Sequence, residues 1–275
     1  MKKIPYGRQN IDQNDIDAVV SVLESDYLTQ GPKVKDFEIK FAEYVGANYA
    51  VAVNNATSGL HLSVLALNLS KGDRVITTPI TFAASANCIR YAGAEVWFAD
   101  IDPNTYLLDI YSLKELIESK PKGFFKGIIP VDFAGLPINM EKFRVLADAH
   151  DLWIIEDACH APLAEYTDTV GASFTVGSCA HSDATTLSFH AIKHITAGEG
   201  GVLLTNSDTL AKQARLLRSH GVVRDTSELK SQENAGAPWY YEMHELGCNY
   251  RLNEVNCALA LNQVSRLAKN NQRRQ

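Results

Sequence analysis

Hydrophobic and polar positions along this chain follow two alternating patterns, one typical of amphipathic helices and one typical of short buried strands. The segment Ile11–Ser25 has apolar residues at helical spacing, and Asp12 stands where an N-cap is expected. Further helices are predicted over Thr57–Leu69, Thr81–Tyr91, Met140–His150 and Leu210–Ser219. Strands are predicted over Tyr49–Val53, Val75–Thr78, Glu95–Asp100, Ile128–Val131, Trp153–Glu156, Thr185–Phe189 and Gly201–Thr205. This alternation predicts an α/β fold of three αβα layers around a mostly parallel sheet, with a surface loop over Val222–Pro238.

Composition and charge narrow the class of protein. The chain has 275 residues, 46% of them hydrophobic, which is enough to bury a sizeable core. A net charge of −6, with a basic cluster only at Arg273–Arg274, argues against nucleic acid as a partner. The five cysteines lack C-x-x-C spacing, which favours reduced thiols over disulfides or a zinc site. Since neither a signal peptide nor a membrane-spanning run is found, we expect a cytoplasmic protein that does not bind a membrane.

Two junctions between a predicted strand and the next helix could bind a flat, phosphorylated ligand, because ligands of open α/β sheets gather at strand ends. The first junction is N-N-A-T-S-G at Asn54–Gly59, where Thr57, Ser58 and backbone N–H groups could form an anion site. An ordinary N-cap explains the same residues equally well. At the second junction, the ring of Phe82 could stack on a heteroaromatic ligand, or it could simply belong to the core.

A third junction carries acidic residues at the end of a predicted buried strand. The run I-I-E-D-A-C-H at Ile154–His160 places Asp157 where a carboxylate is costly unless it faces a cation. A protonated pyridine nitrogen would be such a cation. A metal site formed by Asp157, Cys159 and His160 and a local cap are the alternatives, although Asp-x-Cys-His is not an established ligand spacing.

The fourth junction contains Lys193, in the run S-F-H-A-I-K-H-I-T-A-G-E-G-G from Ser188 to Gly201. A lysine amine in such a turn can hold an aldehyde as a Schiff base and later shuttle a proton. These properties predict pyridoxal 5'-phosphate (PLP) as the cofactor, with Ser188 able to donate to its phosphate. His190 and His194 flank the lysine without an assigned role. The G-E-G-G run lacks the spacing of a dinucleotide-binding fingerprint, which disfavours an NAD-linked enzyme.

Taken together, the ordered motifs resemble those of the DegT/DnrJ/EryC1/StrS family of PLP-dependent sugar aminotransferases. The shared motifs are Tyr27–Pro32, Asn54–His61, Thr77–Phe82, Ile155–Ala161, Ser188–Gly201, Arg218–Gly221 and Leu246–Glu254. This resemblance implies fold type I, the aspartate-aminotransferase fold. It also implies a PLP-binding large domain over residues 1–250. Residues 251–275 would begin the helix that leads to a small C-terminal domain, which we expect to be absent from this chain.

The resemblance also implies a role for individual residues. Lys193 occupies the Schiff-base position, Asp157 pairs with the pyridine nitrogen, and the ring of Phe82 stacks on the cofactor. The remaining implied cofactor contacts are Thr57, Ser58 and Ser188 at the phosphate, and His160 beside the cofactor or the substrate. Asn249 is expected to reach the phosphate of the neighbouring subunit, so the active site would be shared across a homodimer.

The reaction implied by the resemblance is transfer of an amino group from L-glutamate to a nucleotide-sugar. The segments T-T-P-I-T-F-A-A-S-A-N, S-F-H-A-I-K and N-Y-R-L-N-E look most like the branch that makes UDP-4-amino-4,6-dideoxy-N-acetyl-β-L-altrosamine, on the route to pseudaminic acid. We therefore expect a UDP-linked 4-keto-6-deoxy-N-acetylhexosamine to be aminated at C4. Amination at C3, a dTDP- or GDP-linked sugar and a truncated, non-catalytic family member are the alternatives. A PLP-dependent dehydratase is disfavoured, because such relatives have histidine in place of the lysine.

Overall fold

A computed structural model describes residues 5, 7–231, 233–234 and 236–272 of the chain. The helices are α1 (Gln13–Leu23), α2 (Pro32–Val45), α3 (Ala56–Ala66), α4 (Ala84–Tyr91), α5 (Ile110–Glu118), α6 (Met140–Ala149), α7 (Asp208–Arg218), α8 (Glu254–Val264) and α9 (Leu267–Gln272). The strands are β1 (Tyr49–Val53), β2 (Arg74–Thr77), β3 (Glu95–Phe98), β4 (Gly127–Ile129), β5 (Trp153–Asp157), β6 (Glu165–Thr167), β7 (Ser173–Thr175), β8 (Ala184–Ser188), β9 (Gly201–Thr205), β10 (Val222–Val223) and β11 (Glu242–Met243). Within the described residues, none of these helices has the length and apolar character needed to cross a membrane.

A seven-stranded sheet in the order β1-β9-β8-β5-β4-β2-β3 forms the centre of the fold. The strand pairs from β8 through β5, β4 and β2 to β3 are parallel. Strand β9 runs antiparallel to both of its neighbours, β1 and β8. The mostly parallel sheet predicted from the sequence is therefore confirmed.

Successive residues of the central strands point to opposite faces of the sheet and so supply two separate cores. In β5, Ile154 packs into the core that contains α2, α5, α6 and α8, whereas Ile155 packs into the core of α3, α4 and α7. Ile154 and Ile155 are both almost fully buried. Continuous apolar runs such as W-I-I-E-D and G-V-L-L-T are explained by this arrangement, because a strand covered on both faces has no polar side. The three-layer αβα architecture is thus confirmed.

Most predicted elements are present, with shifted ends. Helix α3 begins at Ala56 rather than Thr57, because the Asn55 side chain accepts a hydrogen bond from the Ser58 N–H and serves as the N-cap. Helix α4 begins at Ala84, so Phe82 precedes the helix instead of lying within it. The prediction of a loop over Val222–Pro238 is wrong at its start, where β10 pairs with β11.

Helices α2 and α5 were not predicted. Helix α2 has signals that could have revealed it: Pro32 at its first turn, apolar residues at helical spacing, and Gly46 as a left-handed C-cap with φ of 81°. Helix α8 packs against α1 and α2, and the side chains of Arg266 and Gln263 bond to Asp15 in α1. The division into domains at residue 250 stays a prediction.

The carboxylate of Glu254 joins two sequence motifs that lie more than two hundred residues apart. It is 1% exposed and accepts the N–H groups of Gly31, Lys33 and Val34 at 3.0, 2.8 and 3.1 Å. These are the orphan donors at the start of α2, where a negative charge is also favoured by the helix dipole. The contact joins the motif Y-L-T-Q-G-P to the motif N-Y-R-L-N-E.

We expect Glu254→Ala to lower the free energy of unfolding by about 2–3 kcal/mol, because it leaves buried N–H groups without an acceptor. Urea denaturation followed by circular dichroism measures this change. Glu254→Gln is the matched control, since its carbonyl oxygen can still accept from part of the set and should lose less. Equal losses for the two variants would show that the hydrogen bonds are not what stabilises the start of α2.

Candidate active site

A cavity of about 770 Å³ opens at the carboxyl ends of the parallel strands, between these ends and the start of α3. Asp157 and Ser188 are the last residues of β5 and β8, and both lie in its wall. The other lining residues are Asn55, Ala56, Thr57, Leu60, Thr81, Phe82, Ala84, Val131, Phe133, Cys159, His160, His190, Ile192, Lys193 and Glu199. Of the eight site residues predicted from the sequence, six therefore lie around one cavity.

The carboxylate of Asp157 is 4% exposed and accepts hydrogen bonds from two neutral groups. The Ser85 hydroxyl donates to Oδ2 at 2.6 Å, and the backbone N–H of Cys159 donates to Oδ1 at 3.3 Å. These donors fix the orientation of the carboxyl group. A buried, oriented carboxyl group in the wall of a cavity suits a cationic ring nitrogen.

Lys193 lies in the turn after β8, and its backbone N–H donates to the carbonyl of His190 at 2.9 Å. Burial lowers the pKa of the Lys193 amine, while the neighbouring Cys159 and Asp157 act in the opposite direction. A lowered pKa increases the fraction of neutral amine, which is the form that attacks an aldehyde and accepts a proton. The lysine and the aspartate thus face the same cavity.

The turn that carries Lys193 is fixed by long-range contacts. The Asn256 side chain, from α8, donates to the carbonyls of Ala197 and Glu199 at 2.5 and 2.9 Å. Gly198 has a φ of 78°, a left-handed conformation that a residue with a side chain rarely adopts. A Cβ at Gly201 would lie 2.6 Å from the backbone nitrogen of Ala56. The glycines therefore allow the turn to approach the start of α3, and this explains the G-E-G-G motif.

The two hydroxyl residues of the predicted anion site, Thr57 and Ser58, lie in different surroundings. Thr57 lies in the cavity wall in the first turn of α3, and Ser188 lines the same cavity. Ser58 is buried, and its hydroxyl donates to the Asn54 and Asn55 side chains at 2.7 and 3.1 Å. Its side chain is thus outside the cavity lining and supports the cap. The N-cap is confirmed at Asn55, whereas anion binding by Thr57 stays a prediction.

The other predicted residues differ in their positions. The ring of Phe82 lines the cavity and is 73% exposed, so it is not part of the core. His160 lines the cavity as well, and burial, followed by the charge of Lys193, lowers its pKa. Asn249 is exposed, pairs through its backbone with Ser219, and lies outside this cavity's lining. Its contribution to a neighbouring subunit stays a prediction.

Sequence reasoning missed several residues that shape the site. Asn55 and Thr81 line the cavity, and the Thr81 hydroxyl lies 2.7 Å from that of Ser85. Thr81 and Ser85 are four residues apart, a spacing that would have signalled the contact if the path of the chain before α4 had been known. In the described part of the chain, histidine, cysteine and carboxylate side chains do not form a cluster of three that could hold a metal ion.

The fold and the site together define an aminotransferase-like α/β protein. The chain belongs to the DegT/DnrJ/EryC1/StrS aminotransferase family, whose model matches residues 9–275. It is 39% identical over 272 residues to the UDP-4-amino-4,6-dideoxy-N-acetyl-β-L-altrosamine transaminase of Campylobacter jejuni, covering 99% of this chain and 67% of the relative. Across the curated relatives compared with it, the chain spans between 61% and 67% of the relative's length.

Solved structures agree with this membership. The chain superposes on PseC of Helicobacter pylori, an aminotransferase of pseudaminic acid biosynthesis, with a TM-score of 0.83 at 33% identity, covering 98% of this chain and 67% of PseC. It also superposes on the PLP form of the putative sugar aminotransferase Spr1654 from Streptococcus pneumoniae, with a TM-score of 0.82 at 25% identity. That match covers 97% of this chain and 67% of Spr1654. The expected family and fold type are therefore confirmed.

Proposed function

We propose that the protein is a PLP-dependent aminotransferase that moves an amino group from L-glutamate to a nucleotide-linked keto-sugar. The observation that supports this most directly is that Lys193 and the buried Asp157 face one cavity at the start of α3. A lysine for an aldehyde, a carboxylate for a ring nitrogen and a helix N-terminus for a phosphate match the three functional groups of PLP. The family membership and the PLP form of Spr1654 support the same cofactor.

The residues present fit this cofactor in chemistry and position. Asp157 would hold the ring nitrogen, Phe82 would cover a ring face, and Thr57 with Ser188 would bind the phosphate beside the first N–H groups of α3. The close approach of Gly201 to Ala56 leaves no room for a side chain between the start of β9 and the start of α3. When bound, PLP supplies an electron-withdrawing cationic ring that stabilises negative charge on the neighbouring carbon.

The chain's own residues then handle a proton. The Nζ atom of Lys193, whose pKa is lowered by burial, can take the proton from the α-carbon of the amino donor and return it later. Asp157 is held in place by its bonds from Ser85 and Cys159, so its carboxylate would be oriented toward a cationic ring nitrogen. His160 lies in the same wall, where it can contact a polar group of the donor or the sugar.

The finer assignment is amination at C4 of a UDP-linked 4-keto-6-deoxy-N-acetylhexosamine. The Campylobacter jejuni relative and PseC support this branch of the family. We further propose a homodimer in which Asn249 reaches the neighbouring active site. The exposure of Asn249, and its position outside the lining of its own chain's cavity, support that arrangement.

Absorbance spectroscopy with added PLP tests the proposed chemistry. We expect a new absorbance band that L-glutamate bleaches, and borohydride should fix the cofactor onto Lys193, as peptide mass mapping would show. A band without bleaching would identify a non-catalytic family member, and a label on another lysine would contradict the proposed site. Comparison of the products formed from UDP- and dTDP-linked keto-sugars by NMR tests the sugar, since amination at C3 would refute the C4 assignment.

A further inference from the structure

Two buried carboxyl groups lie next to Asp157, and the proposed reaction does not use them. Asp132 follows the end of β4 and is 0% exposed, and Glu156 is the penultimate residue of β5 and is 3% exposed. Because side chains alternate along a strand, Glu156 points to the face of the sheet opposite Asp157. The backbone N–H of Asp132 donates to the carbonyl of Asp157 at 3.1 Å, so the two strand ends are directly joined.

Each of these carboxyl groups has one oxygen with a donor and one oxygen without. Oδ1 of Asp132 accepts the Ile138 N–H at 2.9 Å, and Oε2 of Glu156 accepts the Thr185 hydroxyl at 2.6 Å. Among the described residues, no donor reaches Oδ2 of Asp132 or Oε1 of Glu156, although both atoms are buried. The two side chains lie close enough for each to shift the pKa of the other. Two ionised carboxylates in this position would repel, whereas one proton between them would give both unpaired oxygens a partner.

The surroundings of the pair favour a retained proton. Burial, followed by the charge of Glu156, raises the pKa of Asp132 well above its ordinary value. Burial also raises the pKa of Glu156 to about 7, against the opposing effects of the Thr185 hydroxyl, the Gly177 backbone N–H and Asp132. The titratable groups that face the pair from neighbouring elements are Asp157, Cys159, Tyr166, whose hydroxyl contacts His181, and Cys179.

We propose that Asp132 carries a proton that it shares with Glu156, and that this hydrogen bond ties the end of β4 to β5 and so holds Asp157 in the cavity wall. Asp132 and Glu156 are then positioning residues. With one shared proton, the two carboxyl groups attract each other. Two ionised carboxylates would instead repel each other and push the strand ends apart. The proton itself requires nothing of PLP, and only the consequence for Asp157 rests on the proposed function.

The stability of the protein without PLP tests the shared proton. Because the pKa of Asp132 is raised in the folded state, the folded chain binds about one more proton than the unfolded chain above pH ~4. Stability should therefore fall as the pH rises between 5 and 7, with the folding constant losing about tenfold per pH unit for each such proton. Asp132→Asn replaces the shared proton with an amide hydrogen. The folding constant of this variant should therefore change less with pH than that of the unmodified protein, by about a factor of ten per pH unit. Asp26→Asn, at an exposed aspartate, is the control for removal of one carboxylate.

If Asp132→Asn does not fold, Glu156→Gln serves as the second variant, since its amide can donate to Oδ2 of Asp132 while its carbonyl accepts from Thr185. It should weaken the pH dependence in the same way. A pH dependence identical to that of the unmodified protein, in whichever of these variants folds, would overturn the shared proton.

Binding of PLP tests the positioning role. Asp132→Ala removes the tie, and we expect it to weaken PLP affinity by tenfold or more and to change the circular dichroism of bound PLP. Asp132→Asn should restore both to near the original values. An unchanged PLP signal in Asp132→Ala, despite lower stability, would show that the pair is merely structural. If the unmodified protein binds no PLP, the proposed function fails, while the pH dependence still tests the shared proton.

Discussion

Lys193→Ala is expected to abolish amino transfer, lowering kcat/KM by roughly 10³–10⁴-fold. The substitution removes both the amine that would hold the cofactor's aldehyde and the group that would move the proton. No neighbouring group offers both functions, because the pKa of Cys159 is raised far by burial and the imidazole of His160 cannot hold an aldehyde as lysine does. Steady-state kinetics with L-glutamate and a UDP-linked keto-sugar measure the loss.

The same variant should also lose the borohydride-fixed label while retaining its fold. Lys71→Ala, at an exposed lysine in the loop before β2, is the matched control and should keep both activity and label. Lys193→Arg keeps a positive charge but cannot form the covalent bond to the aldehyde. It therefore separates the effect of the charge from the effect of that bond. Activity in Lys193→Ala above about a tenth of that of the unmodified protein would contradict the assignment of this lysine.

Asp157→Asn is expected to lower kcat by about 10²–10³-fold and to weaken PLP binding. The asparagine keeps the size of the side chain and can still accept the Ser85 hydroxyl, but it cannot neutralise a cationic ring nitrogen. Removing one partner from a buried ion pair costs about 3–5 kcal/mol, and each 1.4 kcal/mol corresponds to a factor of ten in rate. Stopped-flow absorbance of the half-reaction with L-glutamate measures the chemical step directly.

Asp183→Asn is the control for this prediction, because Asp183 is a partly buried aspartate near the opposite end of β5. Its carboxylate accepts the Ile154 N–H and pairs with Arg144, so the substitution should lower stability. The rate of the half-reaction should be unaffected. A comparable loss of rate in both variants would show that a general disturbance of β5, rather than the charge opposite the cofactor, explains the effect.

The position of Asp157 illustrates how far the sequence reaches. A run of apolar residues ending in two acids predicts a strand with a carboxylate at its end, and β5 has this form. The sequence cannot show which groups face that carboxylate, since Ser85 lies 72 positions away and is brought close by the pairing of β2, β4 and β5. The sequence also does not show that Asp132 lies near Glu156. The two residues come together only because β4 and β5 are neighbours in the sheet.

The anion site shows a similar limit. The motif N-N-A-T-S-G predicts a helix start, and Asn55 and Ala56 form one. Which hydroxyl faces the cavity depends on the rotation of the helix against the sheet. That rotation buries Ser58 against Asn54 and leaves Thr57 in the wall.

By itself, the sequence determined the order of most strands and helices, the mostly parallel sheet and the family. It also determined that Asp157 stands at a strand end and that Lys193 stands in the turn after a strand. These features follow from local hydrophobic periodicity and from motifs that are contiguous in the chain. Only the tertiary structure decided that the lysine, the aspartate and the start of α3 surround one cavity, and that Asp132 meets Glu156. Such contacts join residues far apart in sequence, and the direction of each side chain is set by packing between elements that no local pattern describes.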